Sequence, residues 1–395
     1  MTNEIDRRRF IGGLAGATAL GASTGGALAQ VAKPAAPLTI SVIDAAGSLA
    51  LTQTVFENYR KARPDYVSRF VFTKAPSPEL PGKLKAQQAA GRVDIDIALV
   101  GTDAISAGAE QQVWTKLFPD HAAALPKLTD IYSSDVQRMQ AVTQGQGVCI
   151  AFTPSGPLLE YMPDRVKSPP TTAAELLDWC RQNPNRFLYA RPSNSGPARG
   201  FLMAVPYLLG DVDPKDPVKG WDKTWAYLSE LNNYIEYYPT GTAVTMKELG
   251  DGSRDMITST MGWDINPRAL GIVPKEARTL VLKGTHFIAD AHFVAVPAGV
   301  APERVAVILD LISFMLSPEQ QALAYDEGYL YPGPAVKNVP LTAAPAASQN
   351  TLAEFGRPEY ATLITSLPVE MPLELNQMVQ AFRIWDAQIA GKKKP

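Results

Sequence analysis

Short apolar runs alternate with helical repeats along this chain from residue 38 onward. "LTISVI" has the length and β-branched content of a strand, and Leu49 to Ala62 carries apolar positions at helical spacing. "VSRFVFT" predicts a second strand, Glu79 to Ala90 a second helix, and "DIDIALV" a third strand. Strand, helix, strand, helix, strand is the pattern of a mostly parallel sheet covered by helices, an α/β fold. Ligands of such sheets sit at the C-terminal ends of the strands, here the loops Asp44 to Ser48 and Gly101 to Asp103.

The pattern restarts after residue 152. "GVCIAF" predicts a buried strand, and the Pro/Ser-rich "TPSGPLLEYMPDRVKSPPTT" separates it from a new beginning. Thr172 with Glu175 forms a capping box, which predicts a helix over Ala173 to Gln182. "NRFLYA" reads as a strand, "RPSNSGPARG" as a turn, and "FLMAVPYLLG", "AYLSELNNYI" and "MKELGDG" as helices. "SRDMITSTM" then runs into "TMGWDINPR", where neither period continues. "HFIADAHFVAVP" predicts a strand returning to the first unit, and an amphipathic helix follows from Pro302 to Leu316. The expected organisation is a first lobe from 30–150 and 290–345, a second lobe from 151–289, and a C-terminal helical segment, 346–395, packing on both.

Residues 1–29 read as an export leader rather than as fold. Arg7-Arg8-Arg9-Phe10 precedes the Gly/Ala-rich "GGLAGATALGASTGG" and the cleavage signal Ala27-Leu28-Ala29, a twin-arginine (Tat) pattern directing the chain to the periplasm. The apolar stretch is too short and glycine-rich for a good membrane span. About 366 residues follow, more than one core normally serves, which agrees with two lobes. The leader carries a net charge of +1, so its removal takes the chain from -2 to -3. So weak a field excludes nucleic acid and anionic membrane as partners. Cys149 and Cys180 are predicted to be two buried thiols, although export would permit a disulfide between them.

The chain resembles the periplasmic solute-binding proteins of ABC importers, in the group with polyamine, thiamine, iron and phosphonate binders. The stretches that carry the likeness are "LTISVIDAAGS", "DIDIALVGTDAI", "TTAAELLDWCRQNPNRFLYARPSNSGPARGF", "TSTMGWDINPR" and "HFVAVPAGVAPERVAVILDLISFMLSPEQQALAYDEGYLYPGPAV". "ELLDWCRQNPNRFLYARP" is most like the thiamine-binder branch, and the Gly262-Trp263 pair is closer to polyamine binders. The resemblance implies a two-lobed periplasmic-binding fold, type II-like, whose lobes are joined by two crossing strands, here near 147–152 and 288–296. It further implies a monomer without catalytic residue or cofactor. Such a protein captures a small solute in the cleft by hinge closure and delivers it to an inner-membrane ABC permease.

Within that cleft four acids fall in suitable loops: Asp44, Asp103, Asp264 and Asp290. Against them stand the bases Arg191, Arg199 and Arg268, a balance that favours a cationic or zwitterionic solute such as a polyamine, thiamine or another organic amine. Trp263 is the leading candidate, because an indole face attracts a cation by about 0.5 to 2 kcal/mol. Asp264 reads either as a second contact or as a helix cap ahead of Pro267, and Asp44 and Asp103 also have cap positions. Asp290 lies in an apolar strand and calls for a partner. Tyr329 and Tyr331 lie where the family offers an aromatic ring. Ser193, Asn194, Ser195 and Gly196 precede a helix whose N–H groups can hold an anion, which keeps a phosphonate or carboxylate ligand open.

The rival reading is a metal-binding protein or metalloenzyme. Asp290 and His292 share one face of an extended strand and can ligate one ion, with His286 too distant unless the strand bends. No nucleophile elbow, Walker loop, dinucleotide fingerprint or paired-cysteine motif accompanies them.

Overall fold

A computed structural model of the chain describes residues 32–154 and 156–392. The leader read over 1–29 and the end of the basic tail lie outside the described residues. Strand β1 (Leu38–Asp44) pairs in parallel with β2 (Val67–Lys74) and with β3 (Ile97–Gly101). The helices Leu49–Ala62 and Leu80–Ala89 make the connections, as the alternation predicts. All five residues of β3 are buried, the signature of a strand covered on both faces.

β4 (Val148–Thr153) belongs to the same sheet and carries the chain out of it, and β5 (Leu158–Tyr161) opens a second one with β6 (Phe187–Leu188), β7 (Met256–Ser259) and β8 (Arg278–Leu280). The chain returns through β9 (Phe287–Ile288) and β10 (Asp290–Ala295), then adds β11 (Gly333–Pro334) and β12 (Val369–Glu370). The sheets run β11-β4-β10-β3-β1-β2 and β6-β7-β5-β8, with β12 and β9 as a separate pair. β10 is antiparallel to both neighbours, so the first sheet is mixed rather than mostly parallel. "HFIADAHFVAVP" is therefore two strands broken at Ala289, because the chain changes partners there.

Each large sheet has its own core. Phe56, Leu99, Phe293 and Ile308 belong to one cluster, and Leu176, Phe187, Phe201 and Trp221 to another. Two separately buried apolar clusters, connected by chain crossings, make a two-lobed molecule. Cys149 lies in the first and Cys180 in the second, both as buried free thiols, as expected from the sequence.

The C-terminal segment touches both lobes. Trp385 and Met378 of the helix Leu375–Gln388 enter the second core. Arg138 of the first lobe donates to the Val369 carbonyl at 3.3 Å, and Lys215 of the second donates to that of Met371 at 2.6 Å. An open groove of about 790 Å³ runs beside them, lined by Arg138, Lys215 and Glu374 among others.

The "TMGWDINPR" segment departs from expectation. It forms a helix, Met261–Ala269, with Thr260 as N-cap accepting from the Trp263 N–H at 3.5 Å. Pro267 lies inside that helix instead of starting one. Neither Asp264 nor Asn266 is the cap.

Candidate functional site

β1 and β3 deliver their last residues to the gap between the lobes. Asp44 ends β1 and turns its carboxylate back onto its own loop, where it accepts from the N–H groups of Ala46, Ser48 and Leu49 at 3.0 to 3.1 Å. At 3 % exposure it holds the loop and the first N–H of the Leu49–Ala62 helix, the cap-like role that its position in the sequence also allowed, although Ser48 is the residue at the N-cap itself.

Beside it, Asp103 sits in the first turn of the helix Thr102–Glu110 and accepts from Ser77 Oγ at 2.8 Å. Asp290 begins β10 and accepts from Thr102 Oγ1 at 2.8 Å and from the Ala291 N–H at 3.0 Å. The second lobe reaches across with Arg199, whose Nη2 donates to Asp290 Oδ2 at 2.7 Å and whose Nη1 lies 3.9 Å from Asp103 Oδ2. Burial works against the Asp290 charge, yet Arg199 and the Thr102 hydroxyl outweigh it and hold the carboxyl below its ordinary value. Burial likewise opposes the charge on Arg199 and is overcome by Asp290 and Asp103, which keep the guanidinium firmly protonated. His292, two residues on, shares Ser48 Oγ at 3.0 Å through Nδ1. Its burial pulls its pKa below the usual imidazole range against the nearby carboxylates.

An aromatic pair completes this part of the cleft. Trp263, half-buried against the second core, faces Tyr329 with ring centroids 5.8 Å apart and planes at 55°. Gly262 lets the two segments meet, since a Cβ there would lie 2.2 Å from the Tyr329 carbonyl oxygen. On its other side Tyr329 reaches the β1 loop, where a Cβ on Gly47, at φ +76°, would be 2.7 Å from its hydroxyl. One loop thus joins the two halves of the site: Gly47 beneath Tyr329, and Ser48 against His292.

The remaining candidates lie differently. Asp264 is wholly buried and accepts from Arg268, from Arg357 through both carboxylate oxygens, and from Tyr360 at 2.5 Å. It is an internal anion holding the C-terminal segment, neither a solute contact nor a cap. Tyr331 turns to a side cluster with Met261 and Phe287 and packs 6.0 Å from Tyr360, so Tyr329 rather than Tyr331 supplies the ring beside Trp263.

Ser193 and Asn194 form a single 3-10 turn, Pro192–Asn194, before the helix Gly196–Leu209. Ser195 caps that helix and shares a hydrogen bond with Thr242 Oγ1 at 2.7 Å. Of the first-turn donors, Pro197 has none, the Ala198 N–H goes to Ser195 Oγ and the Arg199 N–H to the Ser195 carbonyl. Little of this helix N-terminus is left for an anion.

Among the described residues no group of three or more His, Cys, Asp or Glu is placed to hold a metal ion. The Asp290 carboxylate proposed as a ligand is engaged by a guanidinium, and His286 lies elsewhere, stacked 4.8 Å from the Tyr207 ring and paired with Glu370. Arg191 pairs with Asp386 and Arg268 with Asp264, which leaves Arg199 as the base in the cleft. The sequence signal for its role was a lone charge within the apolar "GPARGFLMAVPYLL". Nothing local foretold Arg357 or Tyr360.

The family model for bacterial extracellular solute-binding proteins matches residues 54–353, and the chain belongs to that family. Among solved structures, an ABC transporter from Clostridium perfringens is similar with a TM-score of 0.66 and 13% identity, over 90% of this chain and 100% of that one. The periplasmic binding protein AfuA from Actinobacillus pleuropneumoniae, with exogenous fructose-6-phosphate bound, is similar with a TM-score of 0.64 and 14% identity, over 89% and 98%. The spermidine/putrescine ABC transporter substrate-binding protein PotD from Streptococcus pneumoniae is similar with a TM-score of 0.59 and 13% identity, over 89% and 99%. At these identities the likeness is one of fold, the two-lobed periplasmic-binding architecture. No curated protein matches the sequence. Family and neighbours are binding proteins of transport, and among the described residues no helix is long and apolar enough to cross a membrane.

Proposed function

We propose that this protein is the periplasmic receptor of an ABC importer and captures a small organic cation or zwitterion, such as a polyamine, thiamine or another organic amine. The observation that carries this reading is the charge count in the cleft: Asp103 and Asp290 share one guanidinium, Arg199, and so retain a surplus negative charge. The Trp263 and Tyr329 rings lie at the neighbouring loop, where an aromatic face can take the cationic end of a solute. Closure follows from the layout. A solute that touches Asp103 and Trp263 together contacts both lobes only when they are closed, so its binding favours a solute-held closed form over every solute-free one, and that form then docks on an inner-membrane permease. Export by the Tat route, from the twin arginine of residues 7 and 8, brings a folded receptor to the periplasm.

Thermal-shift screening against putrescine, spermidine, thiamine, amino acids, aminoethylphosphonate and ferric iron tests the reading. At a concentration one hundred times Kd a true solute stabilises by about 2.7 kcal/mol. Stabilisation by amines supports it; stabilisation by a pure anion or by iron alone overturns it. Changing both Arg7 and Arg8 to Lys is expected to leave the uncleaved precursor inside the cell, read by fractionation and mass, and normal export of that variant would refute the Tat assignment.

A further inference from the structure

Arg199 is the one charged side chain in the helix Gly196–Leu209, and it is buried at the seam between the lobes. As a source of stability alone, a buried ion pair does no better than well-packed apolar side chains would. What it can do that they cannot is exchange: a second cation can take the carboxylate from the first without ever leaving a bare charge in a dry site. The geometry is suited to such a swap. Asp290 keeps its Thr102 and Ala291 donors whichever cation it faces, and the Arg199 contact to Asp103 is loose at 3.9 Å.

We propose that Arg199 is an exchangeable internal counter-ion: it latches the second lobe to Asp290 and Asp103 of the first, and a solute enters by bringing its own cationic nitrogen to Asp290 in place of the guanidinium. The proposal rests on the cation reading above and adds a selection step to it. A solute without a cationic group cannot release the latch. A zwitterion gains twice, because the displaced guanidinium is then free for its anionic end.

The mature protein and its Arg199→Met and Asp290→Asn variants test this by small-angle scattering without added solute and by calorimetric titration with putrescine. Both variants are expected to scatter with a larger radius of gyration than the wild type at equal helix content. Putrescine is expected to bind Arg199→Met about tenfold more tightly, as an apparent affinity rises when a latched fraction of about nine-tenths is released. Asp290→Asn should lose putrescine binding. Variants as compact as the wild type overturn the latch, whatever putrescine does. Variants that open while Arg199→Met binds putrescine no more tightly than the wild type leave the latch standing and overturn the exchange; putrescine binding to none of the three, with no amine stabilising the wild type in the thermal-shift screen, overturns the exchange together with the reading it rests on.

Discussion

Glu160 of β5 is a carboxyl group with no opposite charge of its own. It is fully buried, and its charged form is eased only by the neighbouring Ser259 hydroxyl and by Arg268 and Arg357, which are already paired with Asp264. Burial, reinforced by the charge of Asp264, pushes its pKa up to about 8. The native protein therefore keeps a proton on Glu160 that the unfolded chain releases near the ordinary glutamate value, about 4.3. Between those two values the unfolded state binds fewer protons, so stability falls as pH rises, by roughly 1.4 kcal/mol per unit at most. Glu160→Gln removes the titration: its denaturation midpoint should match the wild type at about pH 5 and exceed it at about pH 8.5. Parallel midpoints across that range would show that Glu160 ionises normally. Trp263→Ala belongs to the same scale. It is expected to weaken an amine found in the screen by one to two orders of magnitude, about 1.4 to 3 kcal/mol, measured by titration. An unchanged affinity would return the ring to plain core packing.

The helix Met261–Ala269 shows how far the sequence could be read and where it stopped. Helices Leu49–Ala62 and Ala173–Gln182 were legible to the residue, because each has a strong apolar period and the second has its Thr172 cap. Pro267 read as the start of a helix because a proline inside a helix loses an N–H bond and clashes with the preceding turn. What overrides that local preference is distant in sequence: Asp264 is gripped by Arg357 and Tyr360 from beyond the first lobe's last strand. The Arg199 contact to Asp290, 91 residues away, is of the same kind. Pattern located Asp44 at the end of β1 and Asp290 in β10, while the partner of each acid depended on long-range packing that no local pattern encodes. Arg357→Met should therefore be costly, about 3 to 5 kcal/mol by urea denaturation, since it strips a buried carboxylate of a counter-ion. Lys275→Met breaks the Lys275–Glu354 pair nearby, which is more than half exposed on both sides, and should change stability by about 1 kcal/mol or less. Equal effects would mean that the Asp264 cluster does not anchor the C-terminal segment.

At the scale of the whole molecule, the two cores explain why export need not involve oxidation. Cys149 is fully buried in the first cluster and Cys180 in the second, so a bond between them would have to draw a strand of one lobe into a helix of the other. Burial pushes both thiols well above the ordinary cysteine range, which suppresses the thiolate that any oxidation requires. If the chain is exported folded, as proposed above for the twin-arginine leader, it meets the oxidising compartment with these sulfurs already enclosed. The expected outcome is that a thiol reagent modifies neither cysteine in the native protein and both after denaturation, and that a reductant leaves the melting temperature unchanged. A reductant-sensitive melting temperature would instead require the lobes to be cross-linked. It would also forbid the hinge motion proposed for capture, because opening the cleft moves the two cores apart.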